Sequence, residues 1–172
     1  MEDTDLIESY IVPELPAARG EAEPVDLMTP YLERVSSLVE GDKIAVSSPL
    51  VVCDPMYGAQ TSYAGRVFTS LGARVMEIHS DGAEDFAGVH PEAAEPWIDD
   101  CEQAVIENRA DYGIAIDGAG ERIALVDEQG NYVSPHKTLA LLMEYLVVCR
   151  GRGGRMVAPI FVSSIVRRQA ER

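Results

Sequence analysis

Between residues 50 and 133, short apolar runs alternate with stretches whose apolar positions recur every three or four residues. Leu50 to Cys53 is a β-rich run ending at Asp54-Pro55, the pattern of a central parallel strand that feeds a loop. Ser62 to Leu71 reads as a helix closed by Gly72, and Arg74 to Ile78 as the next strand. No period runs through His79 to Pro96, which predicts a long loop. Trp97 to Asn108 follows as a helix, apolar at Trp97, Ile98, Cys101, Ala104 and Val105. Tyr112 to Ile116 and Ile123 to Val126 read as buried strands, the second pairing with Tyr132-Val133 across Asp127-Glu128-Gln129-Gly130.

The flanks are patterned differently. Leu6 to Ile11 could close a helix, and Pro13 to Pro24 reads as a linker. Tyr31 to Val39 predicts an amphipathic helix with Thr29 as cap and Pro30 at its first position. Pro135 to Cys149 predicts a long apolar-faced helix, Met156 to Val162 a strand, and Ser163 the cap of a final helix. Alternating strands and helices place the chain in the α/β class: a three-layer α/β/α sandwich with a mixed, mainly parallel sheet and an antiparallel edge.

The candidate chemistry lies between two of the predicted strands. Asp117-Gly118-Ala119-Gly120-Glu121-Arg122 gathers two glycines, two carboxylates and an arginine. In an extended loop Asp117, Ala119 and Glu121 would share one side, as short segments do when they offer oxygen to a small, hard cation. An ordinary solvated turn is the rival reading. An EF-hand is excluded, because Ala119 supplies no ligand at its third position and Arg122 replaces the glycine at its sixth. Gly118-x-Gly120 lacks the third glycine of a dinucleotide site. Asp54 before Pro55 is expected to fix the strand-end turn, and Tyr57-Gly58 to supply turn geometry. His90 is expected to hydrogen-bond its own loop, while His79 and His136 stand isolated in the sequence and are expected to be structural or surface groups.

Charge narrows the partners. The chain has a formal charge of −15, which opposes a phosphate backbone and argues against nucleic acid. The charge is uneven: residues 151 to 172 hold five arginines against one glutamate, and Arg150-Gly-Arg-Gly-Gly-Arg155 reads as a mobile loop without the aromatics of an RNA-binding segment. An apolar share of 47% suffices for a core, no run is long enough for a membrane span, and the acidic start is not expected to act as a targeting peptide. Cys53, Cys101 and Cys149 lie far apart in apolar surroundings, so small buried hydrophobes in a reducing cytoplasm are expected.

Four stretches, in order and spacing, resemble the α-D-phosphohexomutases, the phosphoglucomutase/phosphomannomutase family. They are Val51 to Ala59, Asp85 to Glu92, the acidic loop 117–122, and Leu139 to Leu146. The resemblance implies a linker from a missing first domain over 1–25, the family's second domain over 26–134 and a truncated start of its third over 135–172. It implies a parent enzyme, an isomerase by intramolecular phosphoryl transfer that interconverts hexose 1-phosphate and 6-phosphate with magnesium. Carried over by position, Asp117 and Glu121 stand as metal ligands, and Arg122 stands where an arginine reaches phosphate. Ala119 occupies the middle ligand position without an oxygen and Glu121 is one methylene longer than the usual aspartate, so magnesium should be weak or lost.

No phosphoserine loop or sugar loop is found, so the hexose phosphate would be met through the missing domains and this piece is expected to be inactive alone. Met156 to Arg172, without its sheet, is expected to be disordered or to pair through its strand edge with a second copy. Two rival readings remain. One is a non-catalytic family relative whose decayed loop has left an interaction or regulatory domain. The other is a free-standing ligand-binding domain.

Overall fold

The computed structural model describes residues 2–11 and 23–171, so most of the predicted Pro13 to Pro24 linker lies outside the described residues. Helix α1 spans Glu2–Glu8, α2 Met28–Ser36 and α3 Gly41–Ser47. Strand β1 (Leu50–Asp54), helix α4 (Tyr63–Ser70), strand β2 (Arg74–Glu77) and helix α5 (Asp99–Asn108) follow. Then come β3 (Tyr112–Ile116), β4 (Ile123–Val126) and β5 (Tyr132–Val133). Helix α6 (Pro135–Glu144) runs on into a π-turn over Tyr145–Cys149, and α7 covers Ser164–Ala170.

The five strands form one sheet in the order β2-β1-β3-β4-β5. β2, β1 and β3 are parallel, with Val51 opposite Val75 on one side and Tyr112 on the other. β4 and β5 run antiparallel beyond them. This is the mixed, mainly parallel sheet that the alternation predicts. Successive side chains of a strand point to opposite faces, and the core divides accordingly. Val52, Ala115, Ala124 and Val126 meet Ile98, Cys101 and Val105 of the α5 side. Val51, Ile114 and Ile116 meet Ile44, Ala64 and Phe68 on the other. Each fully buried valine or isoleucine contributes about 1.5–3 kcal/mol of transfer free energy, so the two faces hold the three layers together. At Gly113 a Cβ would come within 2.7 Å of Val105 and 2.9 Å of Cys101; helix α5 rests directly on the β3 backbone.

Several local expectations are corrected. Helix α2 starts at Met28, without a side-chain bond from its N-cap residue, Leu27. Asp26 Oδ1 instead accepts the N–H groups of Met28 and Thr29, each at 3.0 Å, so the carboxylate two residues before Met28 does the work expected of Thr29. Helix α3 has no counterpart among the predicted elements; its apolar pattern is carried by Ile44 alone against the core. Trp97 precedes α5 instead of belonging to it, and its ring lies against His90, centroids 4.4 Å apart. Cys149 is exposed, whereas Cys53 and Cys101 are buried, their thiols pushed up to about 12 by burial.

The predicted strand over Met156 to Val162 is irregular backbone. Pro159 cannot donate a ladder hydrogen bond, and Val157 and Ile160 are 92% and 89% exposed. The cap reading for Ser163 holds: its hydroxyl accepts from the Ile165 N–H, and α7 docks on α6 through Val166, Val162 and Ala140. That docking departs from the disorder expected of the last residues.

Candidate functional site

In open α/β sheets, ligands bind beyond the carboxyl ends of the parallel strands, where the loops converge. β1, β2 and β3 end at Asp54, Glu77 and Ile116, so residues 55–62, 79–96 and 117–122 gather at one end of the sheet. Their backbones are in contact. The Ala59 N–H donates to the Gly118 carbonyl at 3.0 Å, and the Gly118 N–H donates to the Pro91 carbonyl at 3.0 Å. At Gly58 a Cβ would fall 2.6 Å from Gly118 Cα, and at Gly118 one would fall 2.8 Å from the Phe86 ring. The acidic segment is thus clamped between the other two loops.

That segment is a closed turn rather than the extended loop expected from alternation. The Gly120 N–H donates to the Asp117 carbonyl at 2.8 Å, and the Asp117 N–H to the Arg122 carbonyl at 3.1 Å. Asp117, 8% exposed, turns its carboxylate onto the segment itself: Oδ1 accepts the N–H groups of Glu121 at 2.7 Å and Arg122 at 3.1 Å. Ala119, Glu121 and Arg122 face solvent. The physical reason is local: two unpaired amides in a tight turn are best satisfied by the nearest carboxylate. Of the three residues singled out in the sequence, Asp117 therefore turns inward with Oδ1 on its own turn, while Glu121 and Arg122 are exposed.

Beside them the 79–96 loop presents a line of polar groups. Arg122 Nη1 lies 4.0 Å from Glu92 Oε1, and Glu92 Oε2 lies 3.3 Å from His90 Nε2. His90 bonds within its own loop, as expected.

The best-buried polar group at this end is Asp54, 1% exposed. Its Oδ1 accepts the Met56 N–H at 2.8 Å, the strand-end role the sequence suggests. His79 is not isolated, contrary to expectation. Its Nδ1 lies 3.0 and 3.1 Å from the two Asp54 oxygens, and its Nε2 lies 3.4 Å from Asp100 Oδ2 in the first turn of α5. Burial raises the Asp54 carboxyl above its ordinary value, opposed by the Met56 N–H and by His79. The partners of His79 lie in separate strands and helices, so no sequence pattern links them.

Among the described residues, one set of three acidic, Cys or His groups converges closely enough to share an ion: Glu95, Asp99 and Glu102, near the start of α5. The acidic turn at 117–122 is not part of it. A groove of about 450 Å³ between α2 and α4, lined by Leu32, Arg66 and Val67, lies on another part of the surface and carries none of these groups. No helix among the described residues is long and apolar enough to cross a membrane.

Fold and site together define a three-layer α/β/α domain with an acidic turn at the carboxyl end of its parallel strands. The chain belongs to the phosphoglucomutase/phosphomannomutase family: the profile of that family's alpha/beta/alpha domain II matches residues 29–130. A phosphoglucomutase/phosphomannomutase from Thermococcus kodakarensis is 29% identical over 147 residues, 86% of this chain and 32% of that protein. A phosphoglucosamine mutase from Caldicellulosiruptor bescii is 35% identical over 129 residues, 75% of this chain and 28% of that protein. The crystal structure of a phosphomannomutase candidate from Thermus thermophilus superposes with a TM-score of 0.84 at 24% identity, covering 99% of this chain and 39% of that one; it bears on the fold alone. The chain spans about a third of the length of the relatives it matches.

Proposed function

We propose that this chain is the second, metal-loop domain of a phosphohexomutase-type enzyme together with the start of the third. The second domain covers 26–134, the start of the third covers 135–172, and 1–25 is a linker. The parent would interconvert hexose 1- and 6-phosphates by phosphoryl transfer in the cytoplasm, and other domains would supply the nucleophile and the sugar contacts. One observation carries the proposal: the family match over 29–130 contains the acidic turn at the end of the parallel strands, where an α/β sheet meets its ligand.

Magnesium would supply charge stabilisation on the phosphoryl oxygens, and the residues present do not make a full site for it. Ala119 has no side-chain oxygen, and Asp117 Oδ1 is occupied by two amide N–H groups. Two carboxylates, Asp117 and Glu121, are a poor substitute for the near-ideal octahedral shell that magnesium demands. No step of the reaction is therefore routed through a metal on this chain. Arg122 is different. Its exposed guanidinium lies 4.0 Å from Glu92 Oε1 and can offer a two-pronged grip on phosphate oxygens. In the proposed reaction it holds the phosphoryl group in position.

Magnesium titration by calorimetry tests this reading. The natural chain should bind in the millimolar range or more weakly, and Ala119→Asp should tighten binding at least about tenfold by restoring an oxygen ligand. Tight stoichiometric binding by the natural chain would reveal another ligand. No gain in Ala119→Asp would favour the second reading, a non-catalytic relative kept as an interaction or regulatory domain, which the missing oxygen at position 119 supports.

A further inference from the structure

Helix α6 does not end as a regular helix, although no glycine or proline stands between Pro135 and Gly151 to disturb it. Over Tyr145–Cys149 the turn widens: the Arg150 N–H donates to the Tyr145 carbonyl, five residues back, at 3.0 Å. An α-helix would send that N–H to Leu146. Here the Leu146 carbonyl accepts the Arg152 N–H instead, at 2.9 Å, where Gly151 with φ 60° stops the helix. Single wide turns of this kind are rare and are found mostly at functional places in helices.

The side chains show what the widening achieves. At about 100° per residue, an α-helix sets positions five apart about 140° from one another. The wide turn brings Tyr145 and Arg150 to one side. Arg150 Nη1 lies 3.2 Å from the Tyr145 hydroxyl, and its guanidinium carbon lies 5.9 Å from the centre of that ring. Both side chains meet the same oxygen of Glu40, 105 residues before Tyr145. The Tyr145 hydroxyl donates to Glu40 Oε2, and Arg150 Nη1 lies 3.1 Å from it. Lys43 Nζ is the third donor, at 3.0 Å. Apolar packing does not close this junction. Leu38 and Leu142, on its two sides, are 60% and 50% exposed, and a groove of about 570 Å³ remains between them.

We propose that the Tyr145–Cys149 turn and the Glu40 carboxylate form a two-state catch. While Tyr145 and Arg150 hold Glu40 the turn stays wide, and on release it reverts to the α register. The logic is an exchange: the wide turn gives up regular helical bonding, and charge-assisted bonds to one carboxylate oxygen offset the loss. Glu40 and Arg150 are each about two-thirds buried at the side chain, so water screens this contact less than it would a fully exposed pair. Released, Arg150 would turn away from Tyr145, and the end of α6 would lose its polar hold on the chain between α2 and α3. The meaning of the catch as a hold between two domains rests on the proposed reading of residues 135–172, but the register of the turn does not. A failed magnesium titration and a failed catch are therefore separate results.

Scalar couplings across hydrogen bonds, measured by NMR on the whole chain, read the register directly. In the natural chain the Arg150 amide nitrogen should couple to the Tyr145 carbonyl carbon. In Glu40→Ala it should couple to the Leu146 carbonyl carbon instead. Glu40 makes no capping bond to α3, so the change leaves that helix its own bonds. Tyr145→Phe, which keeps the ring and removes the donor, should shift the register the same way. A Tyr145 coupling that persists in Glu40→Ala would overturn the proposal. So would the loss of both couplings, the sign of a frayed end without a second register, and so would a Leu146 coupling in the natural chain.

Discussion

Gly58 lies so close to the Gly118 backbone that position 58 has no room for a methyl group. A Cβ on Gly58 would fall 2.6 Å from both Cα and O of Gly118, atoms of a backbone that is itself hydrogen-bonded on either side. Gly58→Ala should therefore destabilise the chain by about 1–3 kcal/mol, the usual cost of overpacking a rigid contact, and should weaken the Ala59 to Gly118 bond. Denaturant unfolding measures the first effect and amide exchange at Ala59 the second; an unchanged midpoint would mean that the two turns separate easily. At this scale the sequence was only partly readable. The acidic turn stood out because its glycines and carboxylates are neighbours in the chain. The inward turn of Asp117 did not, since it depends on which amides the tight turn leaves unpaired. The His79 pair was invisible for a different reason: Asp54 lies 25 residues before it, and only the parallel pairing of β1 with β2 brings them together.

Helix α5 shows what one element can carry at its two faces. Its inner face, with Cys101, Ala104 and Val105, was legible from three-four spacing, as were β3 and β4 from their compact apolar runs. The start of the helix was less so, because Trp97 is apolar yet lies outside it on His90. Helix α3 went unread for lack of a repeating apolar stripe, and the Met156 to Val162 strand was misread because β-rich composition cannot supply a pairing partner. The acidic first turn of α5 suits the positive end of the helix, but crowding has a cost. Partial burial and the adjacent Glu95 carboxylate raise Glu102 from 4.5 to about 7. An acid raised in the folded state is more easily ionised in the unfolded chain, so its penalty is absent below pH 4.5 and complete above about pH 7. Stability should thus fall as pH rises through that window. In Glu102→Gln the loss should be smaller, so the melting temperature of the variant minus that of the natural chain should grow between pH 4.5 and about 7. A difference independent of pH would remove Glu102 as the cause.

Across the whole molecule, packing and charge are divided along the chain. The sheet with α4 and α5 contains the two main core clusters, whereas α6 and α7 share a third, smaller one. Tyr145 and Arg150 fasten the end of the α6 segment to Glu40, between α2 and α3, with Arg150 at 3.1 Å. Beyond that point residues 151–161 are exposed, and Arg152 and Arg155 lie there among glycines. Exposed irregular backbone opens at little cost, and a protease needs such opening to bind its substrate strand. Trypsin should therefore cut after Arg152 or Arg155 before it cuts after Arg122, whose N–H is held by Asp117 inside the clamped turn. The first product should keep the sheet intact, as mass spectrometry of the early fragments would show. Protection at Arg155 would point instead to a cover over Val157 and Ile160, and a second copy paired along Met156 to Val162 is the partner proposed from the sequence. Such pairing buries an unpaired edge, and it would weaken on dilution, so sedimentation at falling concentration should then restore cleavage in step with the loss of dimer.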